Sequence, residues 1–259
     1  MPIFEVTGAD LAVALSDEGG HPVVQLHGLT SSRARDRVLN LDLGRGLSGT
    51  RLLRYDARGH GRSTGRKIAQ DYTWSNLADD LLRLLDHWFP GERVHGVGPS
   101  MGAATLLHAA AREPDRFSGL TLMVPPTAWE TRRSQAQNYR DDAALIESDG
   151  VDALVAAHRG GTPPPATVGA PETVPDVADA LLPSLLRGAA LSDLPAPEII
   201  ACIDLPTTIL AWTEDPGHPL STAQTLAAVL PQATLSIASD PVDVDTWPQA
   251  LKHDVARHG

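Results

Sequence analysis

Short apolar runs alternate with amphipathic segments along most of this chain. The runs are rich in aliphatic and β-branched side chains and stop at Gly, Pro or polar residues, which predicts β-strands. The predicted strands are Pro22–His27, Arg51–Asp56, Arg93–Gly98, Leu120–Val124, Thr207–Thr213 and Ala233–Ala238. Between them, Trp74–Phe89 and Ser221–Leu230 carry their apolar side chains on one face and predict helices. Strands that are apolar on both faces and alternate with helices predict an α/β fold with a mainly parallel sheet, flanked by helices.

Two parts of the chain depart from this alternation. The stretch Phe4–Leu15 predicts an antiparallel hairpin at the edge of the sheet. Residues 125–205 contain several helical patterns and a proline-rich connector, with no strand pattern. Because a structureless loop of that length is uncommon inside a compact domain, we predict a helical cap or lid there. The core is then formed by residues 1–124 and 206–259.

The amino-acid composition limits the kinds of molecule that the protein is expected to bind. The net charge of -11 disfavours nucleic-acid binding, because phosphate recognition needs a basic surface. The apolar runs are too short for a membrane span and the first residues lack a signal-peptide pattern. A single cysteine, Cys202, suits a reducing cytoplasm. We therefore expect a cytoplasmic protein that acts on a small molecule, without cofactor, metal, membrane or nucleic acid. The sequence leaves open whether it forms a homo-oligomer.

The segment "VGPSMGAATLL" is the strongest chemical signal in the chain. Ser100 stands between Gly98 and Gly102, at the junction of a predicted strand and a predicted helix. Glycines at these positions permit a tight, strained turn that exposes the serine hydroxyl above the sheet. The N–H of Met101, at the helix N-terminus, is then placed to stabilise an oxyanion. The same short pattern in an arbitrary loop would not indicate a nucleophile. Its position between a predicted strand and a predicted helix does.

A second turn follows the strand Pro22–His27. There, "HGLTSS" lets the backbone turn so that the N–H of Leu29 becomes a second oxyanion donor, although an ordinary tight turn between strand and helix has the same pattern.

Taken together, "HGL", "YDARGHGRS", "GPSMGA" and "DPGHP" resemble the α/β-hydrolase superfamily, most closely its small esterase, lactonase and C–C hydrolase branch. The resemblance spans nearly the whole chain and implies a nucleophile at Ser100 and oxyanion donors at Leu29 and Met101. It also implies a catalytic acid at Asp215, with Glu214 as the competitor. Without the resemblance, Asp215 is read as an acid that caps the following helix.

The expected histidine is missing. Members of this superfamily usually place it directly after the last strand, where this chain has Ser239, Asp240 and Pro241. A carboxylate at Asp240 would be a poor base for a serine hydroxyl. Two other histidines are candidates: His158 in the predicted cap and His218 in the loop of Asp215. We expect His218 to be too close to Asp215 in sequence to reach Ser100 while bound to that aspartate, which favours an absent base over a relocated one.

Two classes of function follow. The intact serine turn and acid loop favour a serine hydrolase acting on a small ester, thioester or lactone through an incomplete or atypical triad. The missing histidine favours a protein of the same fold without hydrolytic activity, either a lyase, isomerase or cyclase, or a small-ligand-binding protein.

Overall fold

The computed structural model describes residues 2–258 and contains one eight-stranded sheet. Its strands are β1 (Ile3–Val6), β2 (Ala9–Asp17), β3 (Pro22–Gln25), β4 (Arg51–Tyr55), β5 (Val94–Pro99), β6 (Phe117–Met123), β7 (Thr207–Trp212) and β8 (Ala233–Ala238). They lie in the order β1-β2-β4-β3-β5-β6-β7-β8. The pairs β1–β2 and β2–β4 are antiparallel, and the other five pairs, β4–β3, β3–β5, β5–β6, β6–β7 and β7–β8, are parallel. The predicted α/β fold with a mainly parallel sheet is confirmed.

Helices connect the parallel strands. The α-helices are α1 (Arg33–Val38), α2 (Trp74–Trp88), α3 (Met101–Arg112), α4 (Arg132–Asp149), α5 (Val151–His158), α6 (Leu182–Ala190), α7 (Pro197–Ile200), α8 (Leu220–Val229), α9 (Pro241–Val244) and α10 (Trp247–His258). Short 3₁₀ helices cover Leu43–Gly46, Ala69–Tyr72, Pro114–Arg116 and Pro165–Thr167. Within residues 2–258, no helix combines the length and the apolar character that crossing a membrane requires.

The hydrophobic pattern located these elements to within a few residues. The predicted hairpin is present as β1 and β2, joined through Gly8, whose φ of 82° is one that glycine adopts without strain. Helix α8 begins at Leu220 with Pro219 at its N-cap, one residue before the serine at which the sequence predicted its start. Strands β3, β5 and β6 are buried along their whole length, because helices cover both faces of the sheet.

The largest core lies between the sheet and helices α2 and α3. Leu81, Leu84 and Leu85 on α2 are fully buried, as the amphipathic pattern predicted. Burying a leucine side chain contributes roughly 1.5–3 kcal/mol, so this one helical face accounts for a substantial part of the core. Helix α3, which begins next to Ser100, buries Leu106 and Leu107 in the same cluster.

Residues 125–205 lie between β6 and β7 and contain helices α4 to α7. The packing of α6 on α4 buries Ala143, Ile146, Leu182 and Leu185. This segment has the helical content that the sequence predicted, and its role as a mobile lid stays a prediction.

One residue of this insertion is clamped to the core. The carboxylate of Asp176 accepts a hydrogen bond from Ser32 Oγ at 2.5 Å, and its N–H donates to Thr30 O at 2.8 Å. The carbonyl of Asp176 accepts from the N–H of Gly61 at 2.7 Å. The insertion is thereby tied to the loop that precedes α1, which also carries Leu29.

Replacing this carboxylate should loosen the attachment. Asp176→Ala removes the acceptor for Ser32 Oγ, and a hydrogen bond to a charged group is worth about 1.5–3 kcal/mol. We expect the amide hydrogen of Gly61 to exchange at least about tenfold faster by mass spectrometry or NMR, while amides of β5 stay protected. Glu172→Ala, an exposed change in the same segment, is the control. Unchanged exchange at Gly61 would contradict the clamp.

Candidate active site

Ser100 sits at a strained turn between β5 and α3. Its φ of 52° and ψ of -112° lie outside the regions that L-residues favour, which costs about 1–3 kcal/mol. A Cβ atom built on Gly98 or Gly102 would lie 3.0 or 2.9 Å from Leu26 Cβ. The glycines are therefore needed because the turn packs against the chain that follows β3, in addition to the freedom they give the backbone.

The second part of the site is a four-residue turn after β7. Asp215, Pro216, Gly217 and His218 form a β-turn closed by a hydrogen bond from His218 N–H to Asp215 O at 3.2 Å. Asp at the first position and Pro at the second suit such a turn. The turn is anchored from outside by Thr127 N–H, which donates to Gly217 O at 3.1 Å. The chain thus reverses at once, and the His218 side chain returns over Asp215.

This turn brings His218 to both of its partners. His218 Nδ1 lies 2.7 Å from Asp215 Oδ2, and His218 Nε2 lies 2.9 Å from Ser100 Oγ. Because Oδ2 of an ionised carboxylate only accepts hydrogen bonds, Nδ1 carries the proton and Nε2 is free to accept from the serine hydroxyl. Our expectation that His218 could not reach Ser100 while bound to Asp215 is therefore wrong.

The β-turn explains why the short separation of Asp215 and His218 in sequence does not prevent His218 from reaching Ser100. Residues at the first and last positions of a β-turn have their Cα atoms within about 7 Å, and here both side chains project to the same side. The chain does not lack a histidine at Ser100; the histidine is on a different loop from the one where the superfamily usually places it.

The carboxylate of Asp215 is held in its charged form. Burial alone would raise its pKa, but hydrogen bonding and electrostatic attraction to His218, with donors from Trp212 and Gly217, together lower the pKa to about 2. Oδ1 accepts from the N–H of Gly217 at 2.8 Å. The competitor Glu214 is exposed to solvent, so Asp215 is the acid that contacts His218.

Two residues that the sequence did not single out belong to this site. Trp212, the last residue of β7, donates its indole N–H to Asp215 Oδ2 at 2.8 Å. Its ring stacks on Trp247 at 5.9 Å between centroids and meets the His218 ring edge-on at 6.1 Å. The available signal was the position of each tryptophan at an element boundary next to a loop of interest, in a chain with only 4% aromatic residues.

The loop of the predicted second oxyanion donor lies against the serine. A Cβ atom on Gly28 would be 3.9 Å from Ser100 Cβ, so Leu29 follows a residue that borders the site. His27 fixes this loop because its Nε2 accepts from Ala57 N–H at 2.9 Å while Nδ1 bonds Gly28 O at 2.8 Å. Burial lowers the pKa of His27, which keeps the ring neutral.

Met101 is the first residue of α3, where backbone N–H groups have no acceptor within the helix. The N–H groups of Leu29 and Met101 as oxyanion donors stay predictions.

The remaining candidates do not meet at Ser100. His158 Nε2 lies 3.0 Å from Asp142 Oδ1 on the surface of the insertion, with its side chain 62% exposed. The structure thus does not bring His158 to the serine. Asp240, at the place where the superfamily has its histidine, caps α9 by accepting from Asp243 N–H at 3.0 Å. Over residues 2–258, no cluster of three or more His, Cys, Asp or Glu side chains is arranged to hold a metal ion.

A buried carboxyl group supports the loop of Leu29. Asp36 on α1 is 2% exposed, accepts from Ser31 Oγ, and has a second oxygen, Oδ2, without a hydrogen-bond partner. Burial, reinforced by the charge of Asp42, raises the pKa of Asp36 to about 7; Ser31, Arg35 and the backbone of Gly28 act in the opposite direction. The group is therefore largely protonated in the folded protein below neutral pH.

Comparison with known proteins agrees with this architecture. Residues 21–145 match the profile of the alpha/beta hydrolase fold family. The chain is 28% identical over 234 residues to a Caulobacter sp. (strain K31) protein named "Putative carbamate hydrolase RutD", covering 83% of this chain and 85% of that protein.

Two solved structures share the fold along their whole length. A thermophilic esterase from Thermogutta terrifontis has a TM-score of 0.78 at 20% identity, covering 100% of both chains. The enol-lactonase from Burkholderia xenovorans LB400 has a TM-score of 0.77 at 20% identity, covering 98% of this chain and 100% of that one. At such identities the structures show the fold alone. With the family match over residues 21–145 and the strand order, they show that this chain has the α/β-hydrolase fold.

The raised pKa of Asp36 predicts a pH-dependent stability. The Asp36 carboxyl has a pKa near 3.8 in the unfolded chain and about 7 in the folded protein. It therefore adds its full contribution to the free energy of unfolding below about pH 4, and this contribution is lost as the pH rises to 7. The loss is on the order of 3–4 kcal/mol. Asp36→Asn has no such proton, so the difference in urea-unfolding free energy between wild type and variant should shift by that amount between these pH values.

The exposed change Asp179→Asn is the control for a lost carboxyl. If the stability curves of wild type and Asp36→Asn run parallel from pH 4 to pH 8, Asp36 does not titrate as described.

Proposed function

We propose that this chain is a serine hydrolase with Ser100 as nucleophile, His218 as general base and Asp215 as the acid that orients the base. The observation that carries the proposal is the unbroken hydrogen-bond chain from Asp215 Oδ2 through His218 to Ser100 Oγ, at 2.7 and 2.9 Å. These are the separations at which a base takes a proton from a hydroxyl. The triad is complete in composition and atypical in the position of its histidine.

The proposed reaction proceeds in two halves. Ser100 Oγ attacks the acyl carbon while His218 Nε2 takes the hydroxyl proton, and the N–H groups of Leu29 and Met101 stabilise the oxyanion. Collapse of the tetrahedral intermediate breaks the bond to the leaving group, which receives the proton from His218. Water then attacks the acyl-serine, again with His218 as base, and releases the acid and free Ser100. Asp215 stays ionised throughout because its pKa is near 2.

The substrate class we propose is a small ester, thioester or lactone. The architecture shared with an esterase and an enol-lactonase supports this choice, although the shared fold does not itself define a substrate. The helices of residues 125–205 lie between β6 and β7, and we propose that they form the cap over the substrate.

The alternative of a lyase, isomerase, cyclase or binding protein rested on the missing base. With His218 in contact with Ser100, that reason no longer favours it.

A fluorophosphonate probe tests the nucleophile. We expect peptide mass spectrometry to find the probe on Ser100 and to find no labelling of this peptide in Ser100→Ala. His218→Ala should lower ester turnover on the order of 10⁴-fold or more, since a serine without its base is a weak nucleophile.

His158→Ala is the matched control, because this exposed histidine also bonds an aspartate but does not contact Ser100. A folded protein that is not labelled at Ser100, or that loses activity in His158→Ala and keeps it in His218→Ala, would overturn the assignment.

Adding a histidine after β8 tests whether the base has been relocated. If His218 already serves Ser100, Asp240→His should not raise ester turnover, and it should cost about 1 kcal/mol of stability because the cap of α9 is lost. Turnover of 4-nitrophenyl acetate and the thermal midpoint are the measurements. A gain of about 10²–10⁴-fold would mean that the site lacks an effective base.

A further inference from the structure

Asp215 and His218 lie on the same four-residue turn, so the orientation of both side chains depends on one short segment. When the two groups come from separate loops, each is held by its own surroundings. Here both depend on one turn, whose own N–H groups bind Oδ1 of Asp215. Something outside the turn must therefore fix Oδ2, the oxygen that orients the imidazole.

Trp212 is the group outside the turn that contacts this oxygen. Its Nε1 lies 2.8 Å from Asp215 Oδ2, the same oxygen that His218 Nδ1 approaches at 2.7 Å. With the turn holding Oδ1 and the indole holding Oδ2, the carboxylate plane is fixed in rotation. A buried indole N–H usually finds an acceptor, so a hydrogen bond from Trp212 is in itself expected. The identity of the acceptor is informative, because it is the same carboxylate oxygen that binds His218 Nδ1.

The indole is itself immobilised by the core. Trp212 is 7% exposed, and its ring is stacked at an interplanar angle of 17° on Trp247, which is 1% exposed at the start of α10. The planes of the same indole and the His218 ring lie at 87° to each other, in an edge-to-face arrangement. The sheet, through β7, and the last helix are thus connected to the carboxylate and the imidazole by one rigid side chain.

We propose that Trp212 is a positioning residue: its indole N–H, held by the stack on Trp247, orients Asp215 so that a base only three residues away can face Ser100. This inference rests on the proposed function. It predicts a loss in the chemical step, whereas a merely structural tryptophan would affect stability and leave the chemistry of the folded fraction unchanged.

The decisive variant is Trp212→Phe, which keeps an aromatic ring between Trp247 and His218 and removes the N–H donor together with part of the ring; the control Trp88→Phe makes the same loss of ring elsewhere. We expect kcat for 4-nitrophenyl acetate to fall about 10–100-fold, the usual effect of removing a group that orients a catalytic side chain, with KM changed less than about threefold.

Trp88→Phe is the matched control. It makes the same substitution at an indole on α2 whose Nε1 is buried without a hydrogen-bond partner, so kcat should stay unchanged. If Trp212→Phe and Trp88→Phe have the same kcat as wild type, the positioning role is wrong.

A double-mutant cycle shows whether Trp212 acts through Asp215. In an Asp215→Ala background there is no carboxylate to orient, so adding Trp212→Phe should cost less than about twofold further in kcat. A full additional loss would mean that the tryptophan acts by another route and would overturn the proposal.

A spectroscopic test does not need turnover. The indole N–H resonance of Trp212, assigned by its absence in Trp212→Phe, should move upfield in Asp215→Ala, because a charge-assisted hydrogen bond is lost. An unmoved resonance would contradict the contact. If wild type neither turns over the ester nor reacts with the fluorophosphonate probe at Ser100, the proposed function fails and this role with it. Activity retained in Trp212→Phe removes this role alone.

Discussion

The site depends on one β-turn. Asp215-Pro216-Gly217-His218 reverses the chain within four residues, so that the imidazole is hydrogen-bonded to the Asp215 carboxylate through Nδ1 and faces Ser100 through Nε2. Proline fixes φ at the second position in the range that the turn needs, which lowers the conformational cost of the turn. This reversal is what places His218 Nε2 at 2.9 Å from the Ser100 hydroxyl.

The turn works because its surroundings are rigid. Ser100 is kept in a strained conformation by packing that leaves no room for a side chain on Gly98 or Gly102 beside Leu26. The strain is offset by the burial of α3 and the central strands, since a closely packed core tolerates one unfavourable residue where it is over-determined. A fixed serine and a fixed turn are what allow a hydrogen bond of ordinary length to form between residues far apart in sequence.

The segment after β8, where the superfamily usually has its histidine, has a structural role in this chain. After β8 the chain enters α9, capped by Asp240, and then α10, where Trp247 is buried against Trp212. Ala166, from the proline-rich part of the insertion, belongs to the same apolar cluster as the two tryptophans. These side chains fill space beside the loop of Asp215, and Trp212, stacked on Trp247, donates its indole N–H to Asp215 Oδ2. Under the proposed function, the position of His218 on the loop after β7 and the aromatic filling of this corner belong to one arrangement.

Hydrophobic periodicity determined the elements of this protein: the alternation of strands and helices, the edge hairpin and the helical insertion all follow from local patterns, as does the strand–turn–helix setting of Ser100. These features depend on neighbours in sequence, which the chain displays directly. Which histidine meets Ser100, which oxygen of Asp215 it uses and that Trp212 holds that oxygen were decided by the tertiary structure. These contacts depend on the direction in which side chains leave a turn and on which elements pack against the turn. The spacing of residues in the sequence contains neither kind of information.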